Sequence, residues 1–197
     1  MDLTAPDMLD RVSEVTDGLD VGSLFYVAGA GGEACELVEQ PIADVRRTID
    51  LNVIGQTLLA RPFGQAMVQR GSGAILLVGS LGCVAGSKRL AVYAASKAYT
   101  QILAEGLWAE MQPHGVDVAA LLIGRTRTPA LERYEAGKES GMPTAEPADV
   151  VDFALANLQQ GPVILPEELH QGFDALRSMP RAKAVKIMTK SLESQTN

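Results

Sequence analysis

Four short apolar runs, each bounded by glycine or proline, recur along this chain: "GSLFYVAGAGG" (22–32), "GAILLVGS" (73–80), "VDVAALLIG" (116–124) and "PVILP" (162–166). They are too short for buried helices and apolar on both faces, as strands covered from both sides are. Between them lie longer stretches with helical spacing. In "ADVRRTIDLNVIGQTLLARPFGQAMVQRG" (43–71), Val45, Ile49, Val53 and Leu58 repeat with a helical period, and Pro62 marks a bend or a first turn. A second long helix is predicted from Tyr93 to Met111, closed by Pro113 and Gly115, and a third over 146–161. Strand then helix, repeated, predicts an α/β fold: a parallel sheet with helices on both faces. The polar stretch 132–147 reads as a mobile loop or short helices over a site. The tail from about Met179 reads as a docked final helix that frays near Asn197.

Charge and composition narrow the function classes. A formal charge of −7 argues against nucleic acid and anionic membranes as partners, because an acidic field repels phosphate. No apolar run approaches the roughly 20 residues that span a bilayer. The start "MDLTAPDML" has neither the basic nor the apolar region of a secretory leader, so the expected location is cytoplasmic. Cys35 and Cys83 make no disulfide framework, and Glu36, Glu39, Glu167 and Glu168 lack metal-ligand spacing. At 197 residues and 47% hydrophobic, the chain can bury one sizeable core.

In an open parallel sheet, ligands sit at the carboxyl ends of the strands. Gly29 and Gly31 follow the first run, Ser80 closes the second, Tyr93 begins the next helix, and Gly124 and Thr128 follow the third. These distant segments are expected to meet at one edge. Within "VYAASKAY", Tyr93 and Lys97 are four residues apart, which on a helix sets their Cβ atoms about 5–6 Å from each other. For acid-base work near neutrality, a free phenol must be acidified by roughly three pH units, about 4 kcal/mol. An ammonium about 5 Å away supplies on the order of 3 kcal/mol at an effective dielectric near 20. A hydroxyl such as Ser80 can then hold a substrate oxygen while Tyr93 exchanges its proton. The remaining candidates read as structural. His114 caps a helix end, His170 lies on the surface, Cys83 is a small packed side chain, and Trp108 and Met111 belong to the core or a subunit interface. Gly29 and Gly31 suit a tight turn or a ligand contact, and Thr128 before Pro129 suits a turn cap or a ligand contact.

Together these residues resemble the short-chain dehydrogenase/reductase family. Its pattern, Tyr-x-x-x-Lys with a serine thirteen residues upstream and an asparagine in the preceding long helix, matches Tyr93, Lys97, Ser80 and Asn52. The stretch "DLNVIGQTLLARPFGQAMVQRGSGAILLVGS" and the segment "LIGRTRTPA" are similar to the family's as well. The resemblance implies a Rossmann-like sheet and hydride transfer between NAD or NADP and a small-molecule alcohol or ketone. By it, Tyr93 is the general acid-base, Ser80 positions the substrate oxygen, and Lys97 acidifies the tyrosine and holds the nicotinamide ribose. Asn52 would hold a water that passes protons out through Lys97. Gly124 and Thr128 would lie against the nicotinamide, and Ala28 and Gly29 against the adenosine side. The loop at 130–147 and an apolar pocket behind Leu81 and Val84 imply a partly apolar carbonyl substrate. The resemblance further implies a homo-oligomer joined through helices 43–70 and 93–111.

The sequence also departs from the family pattern. No Thr-Gly-x-x-x-Gly-x-Gly turn is present, and "MDLTAPDML" resembles the end of the family's third strand, where an aspartate, here Asp2, contacts adenine. The expectation is therefore a single domain over 1–197, N-terminally truncated, with the first two strands missing and an apolar sheet edge beside Tyr26. The family's Asn-Asn-Ala-Gly becomes "YVAG" (26–29), so Tyr26 and Val27 replace two bracing side chains. Its Pro-Gly pair becomes Ile123-Gly124. The competing expectation is a catalytically inactive binding or scaffold protein that has lost the dinucleotide site.

Overall fold

The computed structural model describes residues 1–32, 34–135 and 143–196. Four strands, β1 (Ser23–Tyr26), β2 (Gly73–Val78), β3 (Val116–Leu121) and β4 (Val163–Ile164), form one parallel sheet in the order β1-β2-β3-β4. Successive side chains of a strand point to opposite faces, and here both faces are filled. Ile75, Leu77, Val118 and Ala120 share one core with Met67 and Ala104, whereas Leu76, Ala119, Leu121 and Ile164 share another with Ala154 and Phe153. That is why the runs are apolar without alternation.

The helices are α1 (Met8–Thr16), α2 (Ile42–Ile49), α3 (Gln56–Arg70), α4 (Ala91–Met111), α5 (Pro129–Glu135), α6 (Pro147–Asn157), α7 (Glu167–Ser178) and α8 (Arg181–Thr196). Gly71 and Gly115 take left-handed backbone, with φ of 77° and 75°, where the chain leaves α3 and the turn after α4. Met111 lies over Gly64, where a Cβ would come within 2.6 Å of its methyl carbon, so the helix α3 glycine makes room for α4. Trp108 packs against the same core. His114 sits exposed in the turn after α4, and His170 is exposed on α7 with Nε2 2.9 Å from the Leu165 carbonyl.

The structure departs from the sequence expectations in three places. The helix predicted over 43–71 is interrupted by a π-helical turn at Asp50–Gly55, and Pro62 lies inside α3 instead of marking the break. Residues 3–7 are turns, where the resemblance placed a strand end. Two helices, α1 and α7, were not anticipated. For α7 the signal existed: Glu167 and Glu168 open it, and Leu169, Phe173 and Leu176 repeat at helical spacing toward the core. Of the polar stretch 132–147, residues 136–142 lie outside the described residues; an isolated bridge between Thr126 and Ala145 joins its flanks.

β1 is an outer strand of the sheet, and Phe25 (42% exposed) and Val27 (69%) beside it face solvent. Among the described residues, no helix is long and apolar enough to cross a membrane, and no cluster of His, Cys, Asp and Glu suits a metal ion.

Candidate active site

The site grows from the carboxyl ends of β1 and β2 and from the first turns of α4. Beyond β2 the ladder continues, because Gly79 N–H donates to the Leu121 carbonyl (2.8 Å) and Leu81 N–H to the Ile123 carbonyl (3.0 Å). Ser80 is thereby held between two fixed neighbours in extended backbone, and its Oγ accepts from Gly82 N–H at 3.1 Å. Tyr93 enters from α4, and its ring passes between two glycines. A Cβ on Gly31 would stand 3.5 Å from one edge of the ring, and one on Gly82 would stand 3.4 Å from both the other edge and Ser80 Oγ.

One turn further along α4, Lys97 is buried and its Nζ donates to the Val78 carbonyl at 2.9 Å, 5.9 Å from the centre of the Tyr93 ring. Asn52 faces the same spot from the π-turn. Its Oδ1 accepts from Ala30 N–H (2.8 Å), and its Nδ2 donates to the Ala30 carbonyl (2.8 Å) and to Ser96 Oγ (2.9 Å). Every hydrogen-bonding direction of the amide nitrogen is thus spent on protein. The backbone carbonyl of Asn52, not its side chain, is the group that accepts from Gln56 Nε2. Gly29 touches both partners: a Cβ there would lie 3.2 Å from Lys97 Nζ and 3.4 Å from Asn52 Oδ1. Asn52, Ser80, Tyr93 and Lys97 therefore meet around the backbone of Gly29, Gly31 and Gly82.

The electrostatics differ from the simple neighbour argument. Burial pushes the Tyr93 phenol above its ordinary value, and the hydrogen-bonded Ser80 hydroxyl opposes this only in part. Burial also draws the Lys97 amine down to about 8. Desolvation, which penalises each charged form, is the largest influence on both groups and runs opposite to the predicted acidification of Tyr93. Cys83 is pushed up to about 11 by burial, and its thiol donates to Gln101 Oε1 at 3.3 Å, in keeping with a packed, unreactive side chain.

The other predicted positions fall around this centre. Ala28 is half-buried at the end of β1, beside Gly29. Gly124 follows β3 under Leu169, with the Leu81 side chain 4.0 Å from where its Cβ would stand. Thr128 Oγ1 accepts from Leu131 N–H at 3.2 Å, so it caps α5. Asp2 lies exposed at the start of the chain; its carboxylate accepts from Thr4 N–H and Oγ1 (2.9 and 2.8 Å), which holds it below the usual carboxylate range. Val84 is buried in the core, with Leu81 packed against it. A cleft of about 550 Å³ lies beside α4, lined by Cys83, Ala94, Ala98, Arg181, Val185 and Thr189 among others, and by none of the four central residues. The contributions of Gly82, Ser96 and Gln56 were missed in the sequence. Only the adjacency of Ser96 to Lys97 hinted at one of them.

The sequence profile of the short chain dehydrogenase family matches residues 1–139. The chain belongs to that family. It is 28% identical over 161 residues to a 7beta-hydroxysteroid dehydrogenase of Mediterraneibacter gnavus, covering 80% of this chain and 61% of the relative. The chain therefore spans about 61% of the length of that curated relative. A solved short-chain dehydrogenase from Sphingobium yanoikuyae in complex with NADPH superposes with a TM-score of 0.76 at 32% identity, covering 89% of this chain and 69% of that one. A solved 7beta-hydroxysteroid dehydrogenase superposes with a TM-score of 0.84 over 95% of this chain and 73% of its own, and at 23% identity it speaks to the fold alone.

Proposed function

We propose that this chain carries the substrate-positioning and proton-transfer face of an oxidoreductase that interconverts a partly apolar alcohol and its ketone with NAD or NADP. The observation that carries this reading is the meeting of Asn52, Ser80, Tyr93 and Lys97 around three glycines. Bare backbone at Gly29, where a Cβ would press on Lys97 Nζ, suits the close approach of a flat dinucleotide. Ala28, Gly29 and Lys97 would hold it on one flank and Gly124 and Thr128 on the other, with Asp2 toward the adenine. When bound, the nicotinamide supplies or accepts the hydride.

The chain's own residues do the rest. The Tyr93 hydroxyl holds the proton exchanged with the substrate oxygen, and Ser80 Oγ donates to that oxygen as charge develops on it. Lys97, as an ammonium one helical turn away, favours the phenolate and so works against the burial that raises the phenol. Asn52 keeps the loop at Ala30 closed against α4. The NADPH complex of one relative and the steroid substrate in the name of another support the cofactor class and the apolar character of the substrate.

The test is turnover of hydroxysteroids and simple secondary alcohols, read by nicotinamide absorbance, for the full chain and for Tyr93→Phe. The phenylalanine variant is expected to fold normally by circular dichroism and to lose turnover. Retention of most of the activity overturns the assignment. One observation favours a second reading, a catalytically inactive binding or scaffold protein that has lost the dinucleotide site: β1 is an open edge with Phe25 and Val27 exposed. Micromolar NADPH binding by the full chain, measured by nicotinamide fluorescence, excludes that reading.

A further inference from the structure

Tyr26 stands where the family has an asparagine, and its hydroxyl reaches away from the sheet. It donates to the Leu51 carbonyl at 2.6 Å. Leu51 lies inside the π-turn Asp50–Gly55, where the regular helical ladder is interrupted and carbonyls need partners from elsewhere. Tyr26 is 5% exposed, and burial pushes its phenol up to about 12, so it stays a donor. Gly55 supplies the notch in which the hydroxyl rests, since a Cβ there would stand 2.5 Å from the Tyr26 oxygen. The next residue after Leu51 is Asn52, whose carbonyl accepts from Gln56 Nε2 while its amide bridges Ala30 and Ser96. The π-turn is thus gripped by β1 from one side and by α3 from the other.

We infer that Tyr26 is a positioning residue: its hydroxyl, seated over Gly55, pins the Leu51 carbonyl and so sets where Asn52 is presented to the Ala30 loop and to α4. The inference rests on the proposed redox role of the site, and the chain-specific exchange of asparagine for tyrosine gives it content. The tyrosine hydroxyl joins β1 to the helical segment at Leu51.

The test uses the full chain labelled with nitrogen-15. The side-chain amide signals of Asn52 are assigned by their loss in Asn52→Asp. Tyr26→Phe keeps the ring and removes the donor; the Asn52 amide signals are expected to shift, and their hydrogen exchange to speed about ten-fold. In turnover, kcat falls roughly ten-fold with KM nearly unchanged, because alignment and not binding is lost. Gly55→Ala attacks the same contact from the opposite side and is the second variant should the first fold poorly. Its effect is expected to be smaller when introduced into Tyr26→Phe, where the methyl occupies the space left by the hydroxyl. Asn52 signals that stay in place in both single variants overturn the inference, including when the melting temperature falls. Signals that shift in a protein without any nicotinamide-dependent turnover uphold the positioning by Tyr26 and refute the redox reading instead.

Discussion

Lys97 is a buried amine that pairs with no carboxylate among the described residues, so its burial makes stability depend on pH. Its amine is drawn down to about 8 from an ordinary 10.5 because burial disfavours the ammonium. Where the folded value lies below the unfolded one for a base, the unfolded chain binds the extra proton between the two values, so stability rises with pH across that window. Below pH 8 both states are protonated and the full penalty applies, about 3 kcal/mol for a difference of this size. At pH 9 the penalty has shrunk by roughly 1 kcal/mol. Lys97→Met keeps the length of the side chain and removes the titration. Losing the hydrogen bond to Val78 shifts the variant's stability by an amount that pH hardly changes. The assay is urea unfolding followed by the fluorescence of Trp108, the single tryptophan, at pH 7 and pH 9 for both proteins. The wild type is expected to gain about 1 kcal/mol relative to the methionine variant between the two pH values. Cys83, Tyr93 and Tyr26 are all raised by burial, so their contributions run the opposite way and fade as pH climbs. Lys97 acts on Cys83 only as a minor cause, and all three groups stay protonated in the folded protein at pH 9, so they nearly cancel in the difference. A gap that is constant or moves the other way would refute burial as the determinant of the Lys97 amine, and a charge partner would then have to be sought.

Other perturbations test separate parts of the structure. Gly64→Ala places a methyl 2.6 Å from the Met111 methyl carbon and is expected to destabilise by about 1–3 kcal/mol in urea unfolding, and by much less when introduced into a Met111→Ala background. In a Cys35→Ser background, the raised Cys83 thiol is expected to react with iodoacetamide far more slowly than free cysteine at pH 8; rapid labelling would contradict its burial. We propose that copies of the chain assemble through the long helical segments 43–70 and 93–111, where Ile54 of the π-turn, Leu58 of α3 and Ile102 of α4 are exposed, the last at 63%. Ile102→Asp is then expected to halve the mass seen by light scattering or to reduce it further, and a monomeric wild type would remove this proposal.

The sheet was legible in the sequence because its cause is local. Runs such as "GAILLVGS" must be covered on both faces, and a parallel sheet is the arrangement that does so, which also places Ser80, Gly29 and Gly124 at strand ends on one edge. The spacing of Tyr93 and Lys97 likewise fixed their shared helical face, since covalent geometry alone sets it. The π-turn at Asp50–Gly55 was not legible: the contact that holds its Leu51 carbonyl comes from Tyr26 on β1, 25 residues away in the chain, and the local bond from Gln56 to the Asn52 carbonyl has no signature in the apolar spacing. The net direction of the Tyr93 titration was not legible for a related reason. Distance between two neighbours follows from the chain, but how much water each keeps is set by Gly31, Gly82, Val78 and the rest of the packed molecule, and removing water moved the phenol up and the amine down.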